Sequence, residues 1–291
     1  MIDLELSWRQ ATAAAGGLAV ATVALRAARK PRLRAVSVFV GEIALVLGLF
    51  ALWQYAGSFS VMGPGGALSR SRWIWNFERT VHLPSETTIQ HFFVPHHPLL
   101  IQFFNLYYDS LHFPVLIACL VWLFVRHRAS YGRWRTTLVL FTAISLAVQL
   151  IPVAPPRMLS ETRLVDTAVL YHQSVYSTVA GFNADQLSAM PSVHVGWAVL
   201  VAVAIIATAR SRWRWLALLY PAMTTLAVVV TANHFWLDGI VAVVILAVVL
   251  AAQALARRLL ASRRGPAAEA AEAGEAEPVP ADDTAMAARH Q

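Results

Sequence analysis

Six apolar stretches, separated by clusters of arginine, constrain this chain more than anything else in it. They run over about 35–57, 98–125, 135–153, 191–209, 214–233 and 236–257. A bilayer-spanning helix needs roughly 20 apolar residues, with a range of about 17–25. The chain is 58% hydrophobic and 13% charged, where a soluble domain carries about 25% charged residues. The expected fold class is all-α integral membrane, with a six-helix transmembrane core and an external interfacial helix. A seventh stretch, Trp8 to Leu25, is short and rich in Ala and Gly. Alanine contributes little to insertion, so a crossing and an interfacial position both stay open for it.

The arginines set the expected orientation. Arg26, Arg29, Lys30, Arg32 and Arg34 precede the first of the six stretches. Arg126, Arg128, Arg133 and Arg135 separate the second and third, Arg210, Arg212 and Arg214 the fourth and fifth, and Arg257, Arg258, Arg263 and Arg264 follow the sixth. With alternating crossings all four clusters fall on one side, which the positive-inside rule makes cytoplasmic. The net charge of +7 is thus a topology signal and gives no indication of nucleic-acid binding. The expected location is the plasma membrane, with segments 58–97 and 154–190 and the 233–236 corner external. Asp3 and Glu5 stand where a signal peptide would be basic, so none is expected. One cysteine, Cys119, excludes a disulfide within the chain. The organisation expected is an N-terminal segment over 1–34, a membrane domain over 35–257, and a disordered cytoplasmic tail over 258–291, whose Ala, Glu, Pro and Gly show no periodicity. Segment 58–97 carries Arg70, Arg72, Trp73, Trp75, Phe77, Glu78 and Arg79, a mixture that suits the outer interface. Pro84-Ser85-Glu86 within it reads as a helix start.

Polar residues recur at a few places. In the second stretch Gln102, Asn105, Tyr108, Asp109 and His112 form a stripe at three- and four-residue spacing. Asn105, Tyr108, Asp109 and His112 are candidate substrate-binding residues, weighed against an interhelical hydrogen-bond network. Arg157 follows Pro152-Val153-Ala154-Pro155-Pro156, on a stiff turn that ends the third stretch. It is either an interfacial arginine or a phosphate clamp, whose fork matches phosphate oxygens. Ser192 and His194 open the fourth stretch after Pro191. Pro and Ser there are ordinary helix-initiation residues, and the same helix start offers free N–H groups to a phosphate. Asn233 reads as a cap or turn residue and Trp236 as an interface anchor. His234 and Asp238 are four apart, so they share one helix face. A carboxylate beside an imidazole holds one tautomer and sharpens the other ring nitrogen as a nucleophile or base.

Arg157, His194, His234 and Asp238 come from three separate helix ends, all assigned to the external side. A metal site is the competing constellation for two histidines and an aspartate. The arginine at the same depth would repel a cation, so no metal and no cofactor are expected.

Ala189-Met190-Pro191-Ser192-Val193-His194 and His234-Phe235-Trp236-Leu237-Asp238 resemble the second and third signature motifs of the type 2 phosphatidic acid phosphatase superfamily. Ala154-Pro155-Pro156-Arg157-Met158 resembles the first, in the form of the branch holding inositol phosphorylceramide and sphingomyelin synthases. The resemblance covers about residues 35–257. It implies that His234 is the nucleophile and forms a phosphohistidine, that Asp238 orients it, and that His194 protonates the leaving alcohol and then activates the acceptor. It implies phosphoryl binding by Arg157 and the backbone near Ser192, without a metal. The sequence departs from the phosphatase pattern at Leu150 and Val228, where cationic residues are usual, at Met158, where proline is usual, and at Val193, where glycine is usual. Two phosphate-neutralising cations are thereby absent, which points toward lipid phosphotransferases. The second-stretch residues or Arg163 are candidates to compensate.

The reading is a bacterial membrane enzyme that moves a phosphoryl or phospho-headgroup from a lipid phosphate or phospholipid to water or to a hydroxyl acceptor. Phosphatase and inositolphosphotransferase-like chemistry both stay open, as do headgroup, acceptor and oligomeric state. The rival classes are a transporter or channel with an intramembrane His/Asp relay and a family member that only binds lipid.

Overall fold

The computed structural model describes residues 7–28, 30–57, 66–173 and 187–263. Those residues are all-helical, with 82% in helix and no strand. Residues from 264 onward, most of the expected tail, lie outside the described residues, as do Asp3, Glu5, Arg29 and 174–186 of the segment expected to be external. Two compact units are distinguished, Met1–Val249 and Leu250–Gln291. The described part of the second is the C-terminal end of the last helix.

The first two helices, α1 (Trp8–Ala27) and α2 (Pro31–Gly57), form an antiparallel hairpin. Trp8 meets Tyr55 with ring centroids 5.1 Å apart. Further along, a Cβ on Gly48 would touch Ala15 at 3.9 Å, and one on Gly41 would touch Thr22 at 3.1 Å. The face of α2 that receives α1 is a run of small residues, Ser37, Gly41, Ala44, Gly48 and Ala51, at spacings of four and three. Small residues let two helix backbones approach closely where there is no water to drive association. Ser7 caps α1 in a reciprocal box with Gln10.

Next come α3 (Ala67–Thr80), α4 (Glu86–His96), α5 (Pro98–Ser110), α6 (His112–Arg126) and α7 (Arg128–Gln149). The second apolar stretch, expected as one crossing, is the pair α5 and α6 with a 52° bend between them. Two local causes are present. Ser110 Oγ donates back to Leu106 O at 2.6 Å, a bond that bends helices. Pro114 then lacks the N–H that would continue the ladder. A short α8 (Thr167–Leu170) follows two single 3₁₀ turns, and α9 (Val193–Thr208) opens the second half. A seven-residue 3₁₀ helix (Arg212–Leu218) leads into α10 (Leu219–Val230), and α11 (Trp236–Arg263) ends the described chain.

Among the described residues, three helical segments are long and apolar enough to cross a membrane: Arg32–Leu52, Arg212–Val230 and Trp236–Ser262. The bent α5–α6 pair makes a fourth if taken as one crossing. The other two expected crossings differ for readable reasons. In α7 the helix starts earlier than expected and carries Arg128, Arg133 and Arg135 in its first turns. In α9 there are only 16 helical residues, about 24 Å at 1.5 Å per residue, because 187–192 approach it as extended chain and cap.

Around α9 the packing is close. A Cβ on Gly196 would lie 2.0 Å from the Phe141 ring of α7, so glycine is required for this approach. Trp197 Nε1 donates to Thr142 Oγ1 of α7 at 3.0 Å. The membrane-interface character read into α3 belongs to one of its faces. Trp73 and Phe77 are exposed and stacked, with centroids 5.4 Å apart. The opposite face, Ala67, Ser71, Ile74 and Glu78, is buried at helical spacing.

Candidate active site

Three stretches of irregular chain meet through their own backbones. Val153 N–H donates to Leu187 O at 2.6 Å, and Ala189 N–H returns to Val153 O at 3.1 Å. Arg157 N–H donates to Ala232 O at 3.3 Å, and Ser192 N–H to Asp238 O at 3.0 Å. The stretches before α8, before α9 and before α11 are thus tied in pairs. Gln149, at the end of α7, adds a bond from Nε2 to Pro191 O at 3.1 Å. Beneath them Ile74, Val153, Leu159, Ala189 and Phe235 form one apolar cluster. Helix α3 is bonded to two of them: Arg70 Nε donates to Pro152 O at 2.6 Å, Ser71 Oγ to Ala154 O at 2.6 Å, and Glu78 Oε1 accepts from Leu237 N–H at 2.7 Å.

His234 stands in the corner between α10 and α11, and Asp238 in the first turn of α11; both are buried. His234 Nδ1 lies 2.8 Å from Ala189 O and 3.3 Å from Asp238 Oδ2. A carbonyl oxygen can only accept, so Nδ1 carries the proton and Nε2 holds the lone pair. Nε2 is buried with no hydrogen-bond partner. Asp238 Oδ2 also accepts from Phe235 N–H at 2.9 Å, which seats the carboxylate across the first turn of α11. Burial pushes the His234 imidazole from 6.5 down to about 4, opposed by its bond to Ala189 O and assisted by the Arg157 charge. It is therefore a neutral, unpartnered base near neutral pH.

His194, in the first turn of α9, has its ring 6.0 Å from that of His234. Ser192 caps α9, its Oγ accepting from Val195 N–H at 3.4 Å. The first N–H groups of a helix have no intrahelical partner, and those of Val193 and His194 face no acceptor among the described residues. Arg157 is held on both sides: Nη1 donates to Asn233 Oδ1, and Nε lies 3.1 Å from Asp166 Oδ2. Asn233, read above as a cap or turn residue, also donates to Thr231 Oγ1 at 2.8 Å. Its amide is thereby fixed with the oxygen toward the guanidinium.

The polar stripe of the second stretch divides in two. Asn105 Oδ1 accepts from Thr167 Oγ1 at 2.7 Å and its Nδ2 donates to Gln173 Oε1 at 3.0 Å. Both ends of that amide hold the 167–173 segment to α5. Asp109 is half-buried. Tyr108 and His112 lie with the histidines: the His194 ring is 4.4 Å from Tyr108 and 4.7 Å from His112, and Tyr108 is 6.4 Å from His234. The His112 Nδ1 is 3.1 Å from the Tyr220 hydroxyl, and its buried Nε2 has no partner. Arg163, a candidate to compensate for the absent cations, is exposed with φ of 56°, and its carbonyl is 3.3 Å from His91 Nε2. Among the described residues no group of three or more His, Cys, Asp or Glu side chains is arranged to hold a metal ion.

Sequence reasoning gave no place at the site to Glu78, Glu86, Gln149, Asp166 or Tyr220. Glu78 had a signal, because it falls on the small and apolar spacing Ala67, Ser71, Ile74 that marks the inner face of α3. Asp166 had none: its contact with Arg157 is made between two loops. In comparisons with known proteins, a family model described as PAP2 superfamily matches residues 72–252. No curated protein and no solved structure matches the chain.

Proposed function

Because the chain belongs to the PAP2 superfamily, whose members are generally phosphatases, we propose that it is a membrane lipid phosphatase or phosphotransferase working through a phosphohistidine on His234. The observation that carries this is the state of His234: Nδ1–H is committed to Ala189 O and Asp238, and Nε2 is a buried lone pair with no partner. A nucleophile in that state needs no prior deprotonation.

In the proposed cycle Nε2 attacks phosphorus and the bond from phosphorus to the lipid oxygen breaks. His194, protonated once the negatively charged phosphate lies beside its ring, gives that proton to the leaving oxygen. The Nδ1 proton stays on His234, where Ala189 O and Asp238 balance the positive charge of the phosphohistidine. His194, now neutral, takes a proton from water or from a hydroxyl acceptor. That oxygen attacks phosphorus, the P–N bond breaks, and His234 is restored. Arg157 and the N–H groups of Val193 and His194 bind the phosphoryl oxygens. Their preset positions support this reading, since Asn233 and Asp166 fix the guanidinium before substrate arrives. Tyr108 and His112 line the headgroup or acceptor side.

The motif departures at Leu150, Met158, Val193 and Val228 support the transferase-like branch over a simple phosphatase. The arginine clusters support six crossings with the site on the extracytoplasmic face of the plasma membrane. Helix α1 pairs antiparallel along α2, from Trp8–Tyr55 to Thr22–Gly41, but is not among the described helices long and apolar enough to cross a membrane. Incubation with a phosphate-labelled lipid, followed by denaturing electrophoresis, tests the reading: label should remain on the wild type and be absent from His234→Ala. Turnover by His234→Ala at the wild-type rate would exclude it. Adding water alone, or inositol or glycerol, separates phosphate release from formation of a new phosphodiester.

A further inference from the structure

Behind the His234 corner the carboxyl groups of Glu78, Glu86 and Asp238 are all fully buried. The cation standing with them is Arg79. Its Nη2 is 2.7 Å from Glu86 Oε2 and 3.9 Å from Glu78 Oε2, and its guanidinium lies 4.3 Å from the centre of the Trp75 ring. Three carboxylates against one guanidinium would leave two net negative charges out of water, a costly arrangement. The oxygens tell how this is avoided. Glu78 Oε1 accepts the Leu237 N–H and Glu86 Oε2 accepts Arg79. The remaining oxygens, Glu78 Oε2 and Glu86 Oε1, are buried and without a partner as long as neither bears a proton. Both carboxyls stand on the same Arg79 Nη2, and one proton shared between them would relieve both oxygens. Placing that proton on Glu78 satisfies both oxygens, leaves Arg79 and Glu86 as a neutral pair, and removes a like charge from beside Asp238.

We propose that Glu78 is a positioning residue, held as a neutral acid that donates its proton to Glu86 while its other oxygen fixes the Leu237 N–H and so the start of α11. The proposal rests on His234 being the nucleophile, because Leu237 lies between His234 and Asp238, and the first turn of α11 sets their geometry. The groups facing Glu78 are Glu86 at the start of α4, Arg79 beside it on α3, and Asp238 and the Leu237 N–H on α11. Burial raises the Glu78 carboxyl from 4.5 to about 9, with the Glu86 hydrogen bond and charge next in weight, the Leu237 N–H opposing them, and Asp238 raising it further. Loss of the proton above that pH puts a second negative charge behind Asp238 and repels Glu86, so the corner loosens.

Two arms test this in the full chain, purified in detergent. In the first, thermal unfolding is followed from about pH 7 to about pH 10. The folded chain holds a proton that the unfolded chain has lost between 4.5 and about 9, so the wild type should lose stability from about pH 7 upward and level off near pH 9. Glu78→Gln, which keeps a donor and an acceptor but cannot ionise, should lack that loss. Parallel curves for the two proteins overturn the proposal. In the second arm, phosphate release from phosphatidic acid in mixed micelles is measured over the same range. Glu78→Ala should lower kcat about 10- to 100-fold and leave KM within about threefold. Glu78→Gln should recover most of that loss and lack the alkaline decline of the wild type. A Gln variant no better than Ala, or one that keeps the alkaline decline, overturns the positioning role. Absence of label on His234 together with the expected unfolding difference would sink the functional reading and leave the Glu78 proton standing.

Discussion

The α1–α2 hairpin and the junction of the three motif stretches are built by opposite means. The hairpin is held by shape: Gly41, Gly48, Ala15 and Thr22 bring two backbones together. Large side chains such as Val20, Val23 and Leu52 are exposed. A polar link from the hairpin to the body is Glu42, which accepts from Tyr131 and Arg135 of α7. The junction is held by hydrogen bonds and ion pairs among buried groups, several of them to backbone. Shape packing is adjustable in small steps, whereas a buried polar network loses a full desolvation cost when one member goes. The lesson is that tolerance to substitution should divide sharply between the two regions.

The largest effect is expected at the junction. His234→Ala should lower turnover by more than about 10³-fold, and His194→Ala by roughly 10²- to 10⁴-fold, with both proteins still eluting as the wild type does in detergent. Comparable turnover in His234→Ala would place the junction outside the chemistry. Next, Arg157→Lys keeps the charge but loses the fork toward Asn233 and phosphate. It should cost about 10²-fold in kcat/KM, and Asn233→Ala about tenfold through the freed guanidinium. A smaller cost for Arg157→Lys than for Asn233→Ala would overturn the clamp.

Helix packing gives the next step. Gly196→Ala drives a methyl into the Phe141 ring and should destabilise by roughly 1–3 kcal/mol, read as a lower unfolding temperature. On the hairpin Gly41→Ala should cost less, since the Thr22 methyl at 3.1 Å can shift, and Gly48→Ala should be neutral with its nearest neighbour at 3.9 Å. The order Gly196, Gly41, Gly48 is the prediction, and any other order breaks the contrast. A separate effect concerns pH. His234 titrates near 6.5 when unfolded and about 4 when folded. The unfolded chain therefore binds the extra proton between those values, and stability falls as pH drops through that window. His234→Gln should show a shallower fall in unfolding temperature between about pH 6.5 and about pH 4.5.

Legibility from sequence followed the physics of each region. The apolar stretches and the helix starts at Ser85, Ser192 and Trp236 were readable because they depend on local chain. The contact of His234 with Asp238 was readable from their separation, but not its form: His234 precedes α11 and meets the carboxylate from the corner, not from a shared helix face. The bend at Leu111 was written in Ser110 and Pro114, yet a run of apolar residues hides it from a span count. The brace around Arg157 was not readable, since Asp166 and Asn233 reach it across long separations in the chain. The same holds for Glu86, whose place beside Glu78 depends on the turn between α3 and α4. For Tyr108 and Asn105, one stripe served two neighbours, the histidines and the 167–173 loop, and spacing alone cannot divide them.

The bonds that join the three motif stretches run between main-chain groups: Val153 with Leu187 and Ala189, Arg157 with Ala232, and Ser192 with Asp238. A frame of that kind is indifferent to what each position carries as a side chain, provided that position is not proline. Leu150, Met158, Val193 and Val228 can then differ from the phosphatase pattern without displacing His234. Chemistry and selectivity become separable properties, and an engineer could rewrite the second while leaving the first in place.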